Sequence, residues 1–270
     1  MKAAVIQFDI RPGEVEVNRR KALQYLEEAA AQGAGAALLP ELWNCGYDLP
    51  DLPDLAENLR GESIGLVQKL AAQYKMYIFA GTIAERKDGN YYNTQAVINN
   101  KGEIIAKYRK VHLFNPRLAE GKYFHSGDKW ALAHTPWGPV GLATCYDLRF
   151  PEFSRNLALR GAEMLVFPAQ WPGIRLDEWR ILCQARAVEN QCFVLAANRT
   201  GTDMLEGGEF VYEGGSLIVA PNGHILADAG DREGVFPAEL DWGLLQAIRQ
   251  RNNVFADRRP ILDEIDDSQV

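Results

Sequence analysis

The chain has 270 residues, 47% of them apolar and 24% charged, enough to bury a sizeable core in one large domain or two small ones. Its 29 basic and 36 acidic side chains leave a net charge of -7 with no compact Lys/Arg run, which argues against a nucleic-acid or anionic-membrane partner. Asp9 and Arg11 break the first apolar run too early for a signal peptide, and no later run approaches the ~20 residues that span a bilayer.

The first predicted element is a buried strand, "KAAVIQF" from Lys2 to Phe8. A helix is predicted from about Asn18, with Leu23, Leu26 and Ala30 on one stripe and Gly33 as its stop. "GAALLP", Gly35 to Pro40, is the next strand, so the chain opens with a β-α-β unit and a right-handed parallel crossover. The helix-like "SIGLVQKLAAQYK" and the strand "YIFAGT", Tyr77 to Thr82, repeat the pattern. "TQAVIN" and "EIIAKYRK" then flank Asn99-Asn100-Lys101-Gly102, a hairpin turn.

The apolar run from Pro139 to Cys145 reads as another buried strand, which Pro151 prevents from continuing in a sheet interior. "EMLVFPA" (Glu163 to Ala169), a helix from Leu176 to Asn190 and "FVLAAN" (Phe193 to Asn198) rebuild the parallel pattern, and a second hairpin turns at Pro221 to His224. From about residue 241 a helix and tail are expected to serve packing or dimerisation. With no linker or repeat, residues 1–270 are read as a single α/β domain of two mixed sheets with covering helices.

Three ionisable residues stand at strand ends, where α/β folds build sites: Glu41 after "GAALLP", Lys110 closing "EIIAKYRK" and Cys145 closing "VGLATC". They lie 69 and 35 residues apart, so only the fold can unite them. Singly, each has an ordinary reading: a small core thiol, a member of a basic cluster with Lys107 and Arg109, and a cap after Pro40. Together they make chemical sense. A thiol of pKa ~8.5 is only slightly ionised at neutral pH and needs a base or a nearby cation. A buried carboxylate can take the proton. A lysine beside both can favour the thiolate and hold an oxyanion, with a gross attraction of about 4 kcal/mol at ~4 Å and an effective dielectric of ~20. The N–H of Tyr146 is the natural second oxyanion donor. A Cys-His pair is the rival arrangement, and His112 would share a strand face with Lys110 if the strand continued.

In "LLPELWNCGY", "YRKVHLF" and "GLATCYDLRFPE" the chain resembles the nitrilase, or carbon–nitrogen hydrolase, superfamily, and the likeness runs from "AAVIQFD" to "FADRRPILDEI". The resemblance implies a Glu-Lys-Cys triad of Glu41, Lys110 and Cys145, with Glu120 of "EGKYFHSGD" positioning Lys110 and the substrate amide. It implies a four-layer α-β-β-α sandwich whose helix layer pairs in a homodimer or higher homo-oligomer; no cofactor or metal is expected. "CYDLRFPEFSRN", "AQWP", "QARAVENQ" and "ANRTGTD" look most like the ω-amidase branch, which hydrolyses the terminal amide of 2-oxo acids through a Cys thioester. Deaminated-glutathione amidases and N-carbamoyl amidases are the alternatives within the superfamily. A thiol redox sensor is the alternative outside it.

An ω-amidase pocket needs a cation for the substrate carboxylate. Arg175 is the candidate, its alternative being a surface arginine at a helix start; Tyr47 and Trp171 fit pocket walls or core packing, and Arg149 either nears the site or braces the turn after Cys145. Cys45 is expected to approach the pocket mouth, whereas Cys183 and Cys192 read as structural. Four cysteines without paired spacing suit neither a disulfide scaffold nor a metal site, so a reducing, cytoplasmic setting is expected.

Overall fold

Alternation along the first strand sets the layering: Ala4 and Ile6 turn toward one apolar core while Ala3 and Val5 turn toward another. The computed structural model describes residues 1–115, 120–205 and 208–259. The first half holds β1 (Lys2–Gln7), α1 (Val15–Ala31), β2 (Ala36–Leu38), the short α2 (Leu52–Leu55), α3 (Glu62–Tyr74), β3 (Tyr77–Lys87), β4 (Asn90–Ile98) and β5 (Ile104–Arg109). Next come β6 (Ala131–Thr135), β7 (Gly138–Leu142), α4 (Pro151–Leu159), β8 (Met164–Pro168), α5 (Leu176–Asn190) and β9 (Phe193–Ala197). The chain continues with β10 (Thr200–Leu205), β11 (Gly208–Glu213), β12 (Leu217–Val219), β13 (Ile225–Asp228), β14 (Gly234–Glu239) and α6 (Trp242–Arg251).

Two six-stranded sheets result, in the orders β14-β1-β2-β3-β4-β5 and β13-β12-β9-β8-β7-β6, while β10 and β11 pair as a separate hairpin. The centres are parallel, β1-β2-β3 and β7-β8-β9, and both faces of these strands are buried, which is why they read as continuous apolar runs. Ala22, Leu26 and Ala29 of α1 and Ile64, Val67 and Ala71 of α3 cover the outer face of the first sheet. Leu157 of α4 and Trp179, Cys183 and Ala187 of α5 cover the outer face of the second. Between the sheets, Val5, Leu38, Phe79 and Val97 meet Leu142, Val166, Leu195 and Ile218. The architecture is the four-layer α-β-β-α sandwich that the resemblance implied.

The departures from the sequence reading have local causes. The strand predicted to end at Cys145 stops at Leu142; Thr144 stays extended, and Cys145, with φ = +47°, lies outside any strand conformation. β14 begins at Gly234 and carries Pro237, so it reads poorly as a strand; the proline is tolerated because β14 forms a sheet edge against β1. The hairpins β6–β7 and β10–β11 were also not read. α6 packs Leu245 into the inter-sheet core and Trp242 edge-on against Phe193, with ring centroids 4.9 Å apart. The tail from residue 260, which includes the end of "FADRRPILDEI", lies outside the described residues. No helix among them is long and apolar enough to cross a membrane.

Candidate active site

Glu41 leaves β2 through a tight turn in which Leu42 takes φ = +42°. The Leu42 N–H donates to Thr82 Oγ1 at 2.7 Å and the Trp43 indole donates to the Ala80 carbonyl at 2.7 Å, fastening the turn to β3. Gly81 makes that approach possible, since a Cβ there would lie 2.0 Å from the Pro40 carbonyl oxygen. The Glu41 carboxylate accepts from Lys110 Nζ at 2.9 Å and Asn93 Nδ2 at 2.8 Å on Oε1, and from the Gln170 N–H at 3.0 Å on Oε2. Gln170 Nε2 also donates to the Glu41 carbonyl at 2.8 Å, so the residue after β8 holds both the main chain and the side chain of Glu41.

Lys110, just beyond β5, places its ammonium between two carboxylates. It donates to Glu41 Oε1 and to both oxygens of Glu120, at 3.0 and 2.8 Å, and all three side chains are fully buried. Glu120 is held in turn by the Tyr47 hydroxyl at 2.8 Å and the Phe114 N–H at 2.5 Å. Burial disfavours the ammonium, but Glu120 and Glu41 outweigh it and hold the Lys110 pKa well above the usual lysine range. Burial raises the Glu120 carboxyl, and Lys110 opposes that rise.

Cys145 opens a single 3₁₀ turn, Cys145–Arg149, at the end of β7. Asp147 locks the turn from beneath. Its Oδ2 accepts from the Thr144 N–H at 2.8 Å and the Tyr108 hydroxyl at 2.7 Å, and its Oδ1 accepts from the His112 N–H at 3.1 Å. His112 Nδ1 also lies 2.7 Å from Asp147 Oδ1, and the imidazole stacks on Phe150 with centroids 3.7 Å apart. His112 is thus a buttress of the cysteine turn, bound to Asp147, and a Cys-His pairing does not form. The left-handed backbone of Cys145 points its thiol inward, and the N–H of Tyr146, in the first turn of a helix, has no intrahelical acceptor. Burial first, then the Glu41 carboxylate, pushes the thiol well above its ordinary range, and the opposing pull of Lys110 does not cancel them. The sequence left the protonation state of this thiol open; in the fold, burial and the Glu41 carboxylate favour the neutral form, with the Lys110 ammonium shared between two carboxylates.

Above Cys145 opens a pocket of about 420 Å³, mouth included. Its walls are aromatic, with Tyr47, Phe114, Trp171, Phe210 and Tyr212 among them, and its cations among the described residues are Arg149 and Arg175. Arg149 is engaged by Glu178 and lies over the Trp171 ring at 5.0 Å. Arg175 is exposed at the rim and has no ion pair among the described residues, while its carbonyl accepts from the Trp171 indole at 2.9 Å. Cys45 does not reach the pocket. It is packed with Leu49, Leu52 and Phe124, and burial pushes its thiol up to about 12. Cys183 and Cys192 lie in the core outside the second sheet, as structural residues do.

Sequence reasoning missed Asn93, Gln170, Asp147, Arg199 and Tyr212. Arg199, fully buried after β9, grips Asp203 with two donors at 2.6 and 3.0 Å and reaches Gln170 Oε1 at 3.1 Å, so it backs the residue that orients Glu41. Its signal was available, since a charged residue closes the buried strand β9 just as Lys110 closes β5.

The carbon-nitrogen hydrolase family model matches residues 2–250. The chain belongs to the carbon–nitrogen hydrolase family. It is 39% identical over 254 residues to the 2-oxoglutaramate amidase of Bacillus subtilis (strain 168), an alignment covering 94% of this chain and 96% of that protein. It is 35% identical to omega-amidase NIT2 of Homo sapiens, covering 96% and 95%. Among solved structures, Nit3 of Saccharomyces cerevisiae, a member of branch 10 of the nitrilase superfamily, superposes with a TM-score of 0.84 at 29% identity over 93% of each chain.

Proposed function

We propose that this carbon–nitrogen hydrolase is an ω-amidase that cleaves the terminal amide of a small 2-oxo acid such as 2-oxoglutaramate or 2-oxosuccinamate. The observation that carries the reading is a narrow aromatic pocket lined by Cys145, with Arg175 at its rim free of any ion pair among the described residues. Such a pocket takes a slender chain with a neutral reacting end and an anionic far end. The relatives named for 2-oxoglutaramate and ω-amide hydrolysis, aligned over nearly the whole chain, point the same way.

In this mechanism Cys145 Sγ attacks the amide carbon as Glu41 takes the thiol proton, so nucleophile and base act in one step from a neutral thiol. Lys110 and the Tyr146 N–H receive the developing oxyanion. Glu41 returns the proton to the nitrogen, ammonia departs, and a thioester remains. Water deprotonated by Glu41 then attacks the thioester, and collapse of that second tetrahedral intermediate releases the acid and restores the thiol. Glu120 keeps Lys110 in place and faces the substrate nitrogen.

The deciding experiment is ammonia release from a panel: 2-oxoglutaramate, 2-oxosuccinamate, deaminated glutathione, a neutral amide of similar length, a nitrile and a carbamoyl amino acid. A preference for deaminated glutathione or for the neutral amide would overturn the ω-amidase reading and leave the amidohydrolase chemistry standing. Within that panel, Arg175→Ala should lower kcat/KM for the 2-oxo acid amides by one to two decades and leave the neutral amide nearly unchanged, and Arg175→Lys should recover only part of the loss. Equal losses on both substrates would make Arg175 a support of the Trp171 loop.

The proposal includes a cytoplasmic homodimer or higher homo-oligomer. Ile181 and Val188, one heptad apart on the outer face of α5, are 66% and 50% exposed, as a helix layer that pairs with a second copy requires. Sedimentation of the full chain as a monomer would remove this part.

A further inference from the structure

Among the side chains that line the pocket, one buried polar atom has no partner. Tyr212 of β11 is 3% exposed, and its hydroxyl makes no hydrogen bond among the described residues. Buried polar groups are almost always satisfied, so an orphan that borders a binding pocket is available to what enters it, water or substrate. The ring is not free to turn away. The Arg199 guanidinium lies over it at 4.3 Å, and Arg199 is itself fixed by Asp203, Gln170 and Asp9. The hydroxyl is thus presented to the pocket at a fixed place, by the same buried arginine that backs Gln170.

The two ends of the substrate differ in what they need. The amide oxygen already has Lys110 and the Tyr146 N–H in the proposed mechanism. A 2-oxo acid terminus carries three acceptor oxygens, and a guanidinium edge that pairs bidentately with the carboxylate leaves the 2-oxo oxygen for another donor. We propose that the Tyr212 hydroxyl donates a hydrogen bond to the 2-oxo acid end of the substrate, so that Tyr212 and Arg175 read that end together; this rests on the ω-amidase reading above. Burial keeps the phenol neutral, with a pKa above its ordinary range although Arg199 opposes the rise, so it remains a donor throughout the working pH range. The hairpin β10–β11 thereby acquires a role in specificity.

Tyr212→Phe is the direct test, because it keeps the ring and its stack with Arg199 and deletes only the hydroxyl. The melting temperature should hold or rise, since an unpaired buried hydroxyl is removed. With 2-oxoglutaramate, kcat/KM should fall about 10- to 100-fold, mainly through KM, while a neutral amide of equal length stays within about twofold. Equal losses on both substrates would overturn the assignment, placing the hydroxyl at the amide end. No loss on either would overturn it by leaving the hydroxyl idle. Wild-type turnover of 2-oxoglutaramate is measured first. Its absence sinks the ω-amidase reading itself, whereas its presence beside an unaffected Tyr212→Phe variant sinks only the role of Tyr212.

Discussion

Cys145→Ala should lower ammonia release by about 10⁴-fold or more while the melting temperature stays close to that of the wild type. The kinetic expectation follows from the position of the thiol against Glu41 in the pocket, with no second cysteine near enough to replace it: Cys45, Cys183 and Cys192 are each packed in apolar clusters elsewhere. The stability expectation follows from the backbone. Both residues must adopt φ = +47°, the strain is common to the two proteins, and the turn is held by Asp147 rather than by sulfur. Intact-mass analysis of the wild type under turnover should show an acyl adduct on Cys145. An alanine variant retaining a tenth of normal activity, or an adduct mapped to Cys45, would remove Cys145 from the mechanism.

Lys110→Met should damage both activity and folding. Losing the charge that faces the oxyanion should reduce kcat by about 10²- to 10³-fold with little change in KM. It also leaves Glu41 and Glu120 buried side by side without their shared cation, a change of the kind that costs about 3–5 kcal/mol. The pH dependence has a definite sign. Burial and the Glu41 charge already raise the Glu120 carboxyl against the pull of Lys110, so without the ammonium its folded-state pKa lies further above the unfolded value of ~4.3. The folded variant then binds more protons than the unfolded chain, so its stability falls as pH rises from that value through the raised pKa, and acidification restores it. Urea midpoints of variant and wild type at pH 8 and pH 5.5 measure the effect: the gap between them should narrow at the lower pH. A Lys110→Met protein with normal kcat and an altered KM would refute the oxyanion role.

The three ionisable positions were legible because each interrupts an apolar strand at its end, a placement that burial alone does not favour. Their partners were not legible. Asn93 sits inside β4, Gln170 follows β8 and Asp147 lies within the cysteine turn, and an amide or carboxylate in such places carries no periodic signature. Nor does the upward shift of the thiol pKa, which comes first from burial and then from the neighbouring Glu41 carboxylate. The strand readings were best where both faces are buried, as in β8 and β9, and the helix from Leu176 to Asn190 agrees at both ends. They failed at β10, β11 and β14, where exposure on one side, glycines and a proline dilute the pattern.

Glu41 and Lys110 come from the first sheet, whereas Cys145 and Gln170 come from the second. The spacing of the reacting groups therefore depends on the spacing of the two sheets, which among the described residues share no strand pairing and are tied at the site by the Gln170–Glu41 hydrogen bonds. Side-chain volume in the inter-sheet layer, at Val5, Leu38, Val166 and Leu195, acts as the shim that sets this alignment. Catalytic rate becomes a gauge of that spacing: a methylene added or removed far from the pocket shifts one jaw of a vice relative to the other, and a displacement too small to unfold the protein is large enough to misplace a thiol from its base.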